Sequence, residues 1–310
     1  QYQKRVAAGE RIESDRVSLV DQFEGFGNTD MNFADDKPTL DEEDDSLLLL
    51  LYQMLMGPLK HKNGKILNYT HLMLDEAQDF GPLEFQFLVS LTPKNRPSVT
   101  LAGDLDQRIM LGRKHKTWDE SLEYLTLPDG TKPDIKALSP LKIGYRSTNE
   151  IMSAAKKVIG EHSVNTVWES TRKGAPVEVF RFQERGAMVA FLADNLEDLS
   201  AREPLASVAV LTRTHETAFK LYKGLQRTDL ANIRFISDQE FSFTPGIDVT
   251  DISQTKGLEF DTVIIADADA STYGPDVHSR QLLYVGLTRA AHQLWLLHSG
   301  NPSKLISGIV

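Results

Sequence analysis

Apolar residues along this chain come in short blocks set off by polar and glycine-rich breaks, and block length separates strands from helices. Residues 47–56 carry a helical period that stops at Gly57-Pro58. Residues 70–74 read as a short buried strand. Residues 82–91 read as a helix with proline in its first turn, where a missing N–H is no loss. Residues 98–102 form a second strand, ending at Gly103-Asp104. Strand, helix, strand with acids at the strand ends predicts a parallel α/β sheet whose site lies at its carboxyl edge.

After an irregular stretch over 112–140 the alternation resumes. Ser147-Thr148-Asn149-Glu150 predicts a capping box opening a helix over 149–160. Strands follow at 177–182, 208–211, 247–252 and 262–266, with helices around 187–199 and 216–226. A helix over 280–290 and a strand over 293–297 close the chain. Alternating strands and helices favour a second parallel sheet. The fold expected is α/β in two lobes. An acidic, poorly packed segment covers 1–45, a first lobe 46–137 and a second 138–310.

Composition narrows the class without changing that picture. The 310 residues exceed one comfortable core, and 41% hydrophobic with 25% charged content is that of a soluble globular protein. The longest apolar run, Leu47 to Leu51, is far too short to span a bilayer. No signal peptide is read at the start, so a cytoplasmic location without membrane contact is expected. The absence of cysteine removes disulfides and thiolate metal sites. A net charge of −10 argues against diffuse binding to a polyanion but leaves room for a local basic groove.

Candidate chemistry begins at Asp75-Glu76-Ala77-Gln78-Asp79, directly after Leu72-Met73-Leu74. Adjacent acids at the end of a buried strand suit nucleotide hydrolysis. One carboxylate can hold Mg²⁺ through its water shell, and the next can orient the attacking water. An acidic turn would carry the same letters, so the reading depends on what accompanies them. Gly103-Asp104-Leu105-Asp106-Gln107 follows the second strand, and Gly144-Tyr145-Arg146-Ser147 precedes the capped helix. Gln254-Thr255-Lys256-Gly257-Leu258-Glu259-Phe260-Asp261 lies between two strands. Tyr284-Val285-Gly286-Leu287-Thr288-Arg289-Ala290 lies on the last helix.

In this order and at these spacings the five strings resemble motifs II to VI of the UvrD/Rep-type superfamily 1 helicases, over about residues 65–300. The resemblance implies two RecA-like lobes with parallel sheets, the first incomplete at its N-terminus, and ATP with Mg²⁺ as cofactors. It implies that Asp75 holds the metal and that Glu76 is the catalytic base. Gln107 would sense the γ-phosphate, and Arg146 and Arg289 would be arginine fingers. Tyr145 would stack on the adenine, while Gly257 and Glu259 would touch phosphates and ribose. With acids on one lobe and arginines on the other, cyclic closure would drive stepping along a single strand.

The sequence also departs from the family pattern. It holds no G-x-x-x-x-G-K-[ST] loop for the β- and γ-phosphates: Gly57 and Gly64-Lys65 have the wrong spacing, and Ile66 replaces the needed hydroxyl. Together with the start at Gln1, this leads us to expect that the front of the first lobe is missing and that the chain alone hydrolyses ATP poorly or not at all. Ile109-Met110 stand where the family places a base-stacking aromatic, with Trp118 as a candidate substitute. Ser253 stands where a DNA-facing histidine or threonine is usual, and Gly144 where asparagine is common. The distance from Ser147 to Gln254 leaves no room for a large inserted subdomain, as in the HelD branch.

For nucleic acid, Arg113, Lys114 and Lys116 form the densest basic cluster, and a solvated loop is the competing reading. Arg213 is a candidate for the same groove. His71 and His278 are read as structural, and Lys156-Lys157 as an exposed helix face. The leading expectation is the C-terminal portion of a superfamily 1A helicase moving 3′ to 5′ on single-stranded DNA or at a duplex junction. The alternative is an ATPase-deficient or ATP-gated interaction module, such as a partner of RNA polymerase. A metal-dependent nuclease using Asp75, Glu76 and Asp79 leaves the other four strings unexplained.

Overall fold

Four of the six strands of the principal sheet are buried on both faces, which is why they read as nearly continuous apolar runs rather than alternating ones. The computed structural model describes residues 42–95, 97–108, 117–126, 130, 133, 141, 143–163, 169–242 and 244–309. The expected acidic segment over 1–45 and irregular stretch over 112–140 lie largely outside them. The basic string at 113–116 and the boundary near residue 138 lie wholly outside. Residues Ser46–Val310 form one compact unit.

Helix α1 (Glu42–Met56) is followed by strand β1 (Leu72–Leu74), helix α2 (Pro82–Ser90) and strand β2 (Val99–Leu101). The two strands pair in parallel, Leu72 opposite Val99 and Leu74 opposite Leu101. Phe85 and Val89 of α2 close over Leu74, Ala77 and Leu125, and helix α3 (Trp118–Glu123) adds Trp118 and Leu122 to this small core. His71 is structural as expected, its ring nitrogens meeting the hydroxyls of Ser98 and Thr100 at 2.8 and 3.1 Å.

A short parallel pair, β3 (Ile143–Gly144) and β4 (Glu169–Ser170), flanks helix α4 (Asn149–Ile159). Then come β5 (Glu178–Arg181), α5 (Arg185–Arg202), β6 (Ser207–Thr212), α6 (His215–Leu225), β7 (Ile233–Phe235), β8 (Gly246–Asp251), β9 (Phe260–Ile265), α7 (Val277–Thr288) and β10 (Ala290–His298). The six strands from β5 to β10 make one parallel sheet in the order β5-β10-β9-β6-β8-β7. Helices α4 and α7 cover one face, packing Ile151, Val158 and Leu283 on Ala209, Leu211 and Val263. Helices α5 and α6 cover the other, packing Leu192, Leu196 and Leu221 on Val208, Val210 and Ile264. Successive residues of β6 thus feed opposite cores.

The α/β class with parallel sheets is the one expected. Three details differ. Strands β3, β4 and β7 were not expected; β3 and β4 have two residues each, too few to show a period. The capping box at 147–150 does not form: Thr148 is the N-cap, accepting from the N–H of Ile151 at 3.5 Å. Ser147 donates to the Ala290 carbonyl instead, and Glu150 accepts from the N–H of Gly174. Helix α7 ends at Thr288, so Arg289 sits at a helix-to-strand junction rather than on the helix. Among the described residues no helix is long and apolar enough to cross a membrane.

Candidate functional site

The carboxyl end of β1 runs straight into a 3₁₀ turn over Ala77–Asp79, and this places Asp75 and Glu76 at the sheet edge. Glu76 has φ +50°, a left-handed conformation that strains a residue with a Cβ and tends to mark functional sites. Its carboxylate accepts from Nε2 of the fully buried Gln78 at 2.5 Å, and its own N–H donates to Asp75 Oδ1 at 2.9 Å. The Gln78 amide oxygen accepts from the N–H of Asp104 at 2.9 Å, tying this turn to the next. Gly103 makes that join possible, since an added Cβ would lie 2.9 Å from the backbone nitrogen of Ala77 and collide with the Gln78 side chain.

The second turn, Leu105–Gln107, is capped by Asp104, which accepts from the N–H of Asp106 and from Gln107 Nε2, both at 3.0 Å. Asp106 is buried and accepts from Ser163 Oγ at 2.6 Å. Gln107 Oε1 accepts from Nη2 of Arg289 at 2.5 Å. Arg289 is 1% exposed and also donates to the carbonyls of Val285 and Leu258, each at 3.2 Å. Burial, then the neighbouring Arg146, pulls its pKa down to about 10, with Glu76, Tyr284 and Asp104 opposing; the guanidinium stays charged at neutral pH. Burial and then Asp104 and Asp106 push the Tyr284 phenol upward, so it stays protonated.

Two ion pairs complete the convergence. Lys256 meets Asp79 in a half-buried pair between the two sheets. Burial lowers the lysine to about 8, with Glu76 opposing and Arg289 adding to the fall. Arg146 Nε lies 2.5 Å from Glu259 Oε2, and both side chains are substantially exposed, so this pair is weak. Tyr145 is exposed beside it. Gly257 adopts φ +75° with open space around it, so only its backbone conformation calls for glycine. Asp79 Oδ1 is buried without a hydrogen-bond partner among the described residues. The acids at the carboxyl edge of β1 thus share one site with residues at the amino-terminal edge of β9 and β10.

Of the residues expected from sequence, Asp75, Glu76, Gln107, Arg146, Tyr145, Gly257, Glu259 and Arg289 lie in or beside this network. Two do not. Arg213 and Ser253 occupy the opposite, carboxyl edge of the six-stranded sheet, after β6 and β8. Arg213 donates to Ser279 Oγ at 2.9 Å and lies 5.6 Å over the Tyr273 ring, so its guanidinium is engaged within the fold. Ser253 bonds to the Asp251 carboxylate of its own turn. Arg113, Lys114 and Lys116 lie outside the described residues. Trp118 packs into the first core, beside Gly103. Sequence reasoning gave no role to Gln78, Lys256 or Tyr284. Each lies inside a string that was singled out, but nothing in a string says which side chain turns toward the partner sheet.

The chain is similar in sequence to known proteins. Two family models, both described as the UvrD-like helicase C-terminal domain, match residues 140–243 and 246–297. A protein of Acanthamoeba polyphaga mimivirus named as an ATP-dependent DNA helicase is 24% identical over 250 residues, covering 73% of this chain and 34% of that protein. DNA helicase IV of Escherichia coli (strain K12) is 23% identical over 283 residues, covering 83% of this chain and 38% of that protein. The C-terminal domain of a possible DNA helicase from Lactobacillus plantarum is 26% identical with a TM-score of 0.45, over 54% of this chain and 94% of that domain. The chain spans about a third of the length of the curated relatives it matches.

Proposed function

The chain belongs to the UvrD-like helicases, and from that premise we propose that it is the C-terminal portion of an ATP-dependent superfamily 1A helicase or translocase moving 3′ to 5′ on single-stranded DNA. The observation that carries this reading is the bond from the buried Arg289 of one sheet to Gln107 of the other. A charged group is held there by neutral acceptors, beside acids on the facing edge, so its charge is left to act on an anion.

The residues fit Mg-ATP on their own chemistry. Mg²⁺ is usually held by one or two carboxylates and the substrate's phosphates, so the exposed Asp75 would suffice without a larger ligand cluster. Arg146, Lys256 and Arg289 supply three cations to offset a triphosphate. Bound Mg-ATP would supply the phosphoryl bond and, through its Mg²⁺, the divalent charge. Glu76, its carboxylate steadied by Gln78, would be the group that takes a proton from water, and Asp75 would hold the metal through its water shell. Tyr145 is free to lie against a base, and parting of the weak Arg146–Glu259 pair frees both for a ligand.

Glu76→Gln in the full-length polypeptide tests this. The variant should bind ATP with affinity within about threefold of wild type and lose DNA-stimulated turnover by about 10²–10⁴-fold, the range for removing a general base. Turnover within a factor of three of wild type would remove Glu76 from its role and with it this reading of the site.

A further inference from the structure

Arg172 has no part in the site described above, yet it holds the loop that carries Tyr145 and Arg146. The loop Tyr145–Ser147 joins β3 to α4, and its three successive carbonyls accept from Ser170, the last residue of β4, and from Arg172 just beyond it. Arg172 Nη1 donates to the carbonyl of Arg146 at 2.5 Å and to that of Tyr145 at 3.4 Å, and Ser170 Oγ donates to that of Ser147 at 2.7 Å. The other end of the guanidinium, Nη2, lies 2.8 Å from Nδ1 of His292, three residues beyond Arg289 on β10. The same Nη2 lies 3.4 Å from His292 Nε2, and that nitrogen is 3.6 Å from Asp261 Oδ1. Ser147 Oγ adds a buried bond to the Ala290 carbonyl at 2.6 Å. One planar guanidinium therefore bridges the loop carrying Tyr145 and Arg146 to the strand that starts beside Arg289. Its fork geometry reaches two carbonyls and a ring at once, as a lysine ammonium cannot.

We propose that Arg172 is a positioning residue for phosphoryl transfer, fixing the Tyr145–Arg146 loop at a set distance from Arg289 through the main-chain carbonyls and His292. This rests on the nucleotide-site reading given above. Among the described residues Arg146 has only a weak, exposed partner in Glu259, so the place of its guanidinium depends on its backbone, and Arg172 donates to the carbonyl of Arg146 itself. A misplacement of about 1 Å in a charged group facing a reacting centre can cost up to about a hundredfold in rate.

The test compares Arg172→Gln, Arg172→Lys and Arg146→Gln in the full-length polypeptide. Steady-state ATP turnover is measured with single-stranded DNA present, and hydrogen–deuterium exchange across residues 143–149 is measured without nucleotide. Arg172→Gln should lower kcat by about tenfold or more, raise KM for ATP because Tyr145 is displaced, and speed exchange in the loop at least threefold, with the thermal unfolding midpoint unchanged. Arg172→Lys should recover less than half of the lost kcat. Wild-type kcat and KM in Arg172→Gln, beside an impaired Arg146→Gln, would overturn the role of Arg172 alone. A loss of activity with unchanged loop exchange and a lowered unfolding midpoint would also overturn it, leaving a purely structural residue. Wild-type turnover in Arg146→Gln would instead sink the reading of the nucleotide site on which the proposal stands.

Discussion

Arg289 is a buried cation held chiefly by neutral groups: two carbonyls, an amide oxygen and, at 3.4 Å, the Thr288 hydroxyl. A carboxylate in the place of Gln107 would cancel the charge the site needs, which gives a physical reason for glutamine there. A second buried charge, at the opposite sheet edge, offers a cleaner test of burial. Asp267 accepts from the N–H of Arg213 at 2.8 Å and from the Tyr273 hydroxyl at 3.2 Å, yet burial outweighs both and pushes its carboxyl up to about 7. The folded state therefore binds a proton that the unfolded chain releases near 3.8. This contribution to stability is full below that pH and is lost as the pH rises to about 7. Urea unfolding of wild type and Asp267→Asn across this window should show the wild type losing more stability than the variant; parallel curves would mean that Asp267 is already ionised at low pH.

Among elements, helix α7 was the easiest to misplace and is the most constrained. Every residue from Leu282 to Thr288 is buried, so its period carries no polar stripe by which to set its ends. Gly286 lets it lie on β9: an added Cβ would come within 2.9 Å of Ile252 Cδ1 and 3.1 Å of Ile265 Cδ1. Gly286→Val should therefore cost about 1–3 kcal/mol by overpacking, read as a shifted urea midpoint with an unchanged slope. A loss below 0.5 kcal/mol would mean that the helix has room to move. The strands of the six-stranded sheet other than β7 were legible because apolar side chains alternate into two cores, leaving runs such as Val208 to Leu211. Strands β3 and β4 were not, although they decide where Tyr145 and Arg146 stand.

For the molecule as a whole, the consequential feature is that the two sheets meet by opposite edges. A parallel strand must be re-entered from its amino end, so the short connection from β8 to β9 carries Lys256 and Glu259 from one edge to the other. There Lys256 meets Asp79 of the first sheet. A double-mutant cycle on urea unfolding with Asp79→Asn and Lys256→Met should give a coupling between about 0.5 and 3 kcal/mol, as for residues in direct contact. Additive effects would show that the sheets do not touch at this point in solution.

By itself the sequence determined the α/β class, the five strings of functional residues and the family to which they belong, because these depend on local period and on which residue types stand in order. It did not determine which of those residues meet. Arg213 and Arg289 look alike as arginines at the ends of regular elements, and only the parallel topology puts one at the carboxyl edge and the other opposite Glu76. Lys256, Gln78 and Arg172 acquire their partners through contacts between segments distant in sequence. No local pattern encodes such partners, because the chain's path through the sheets decides them.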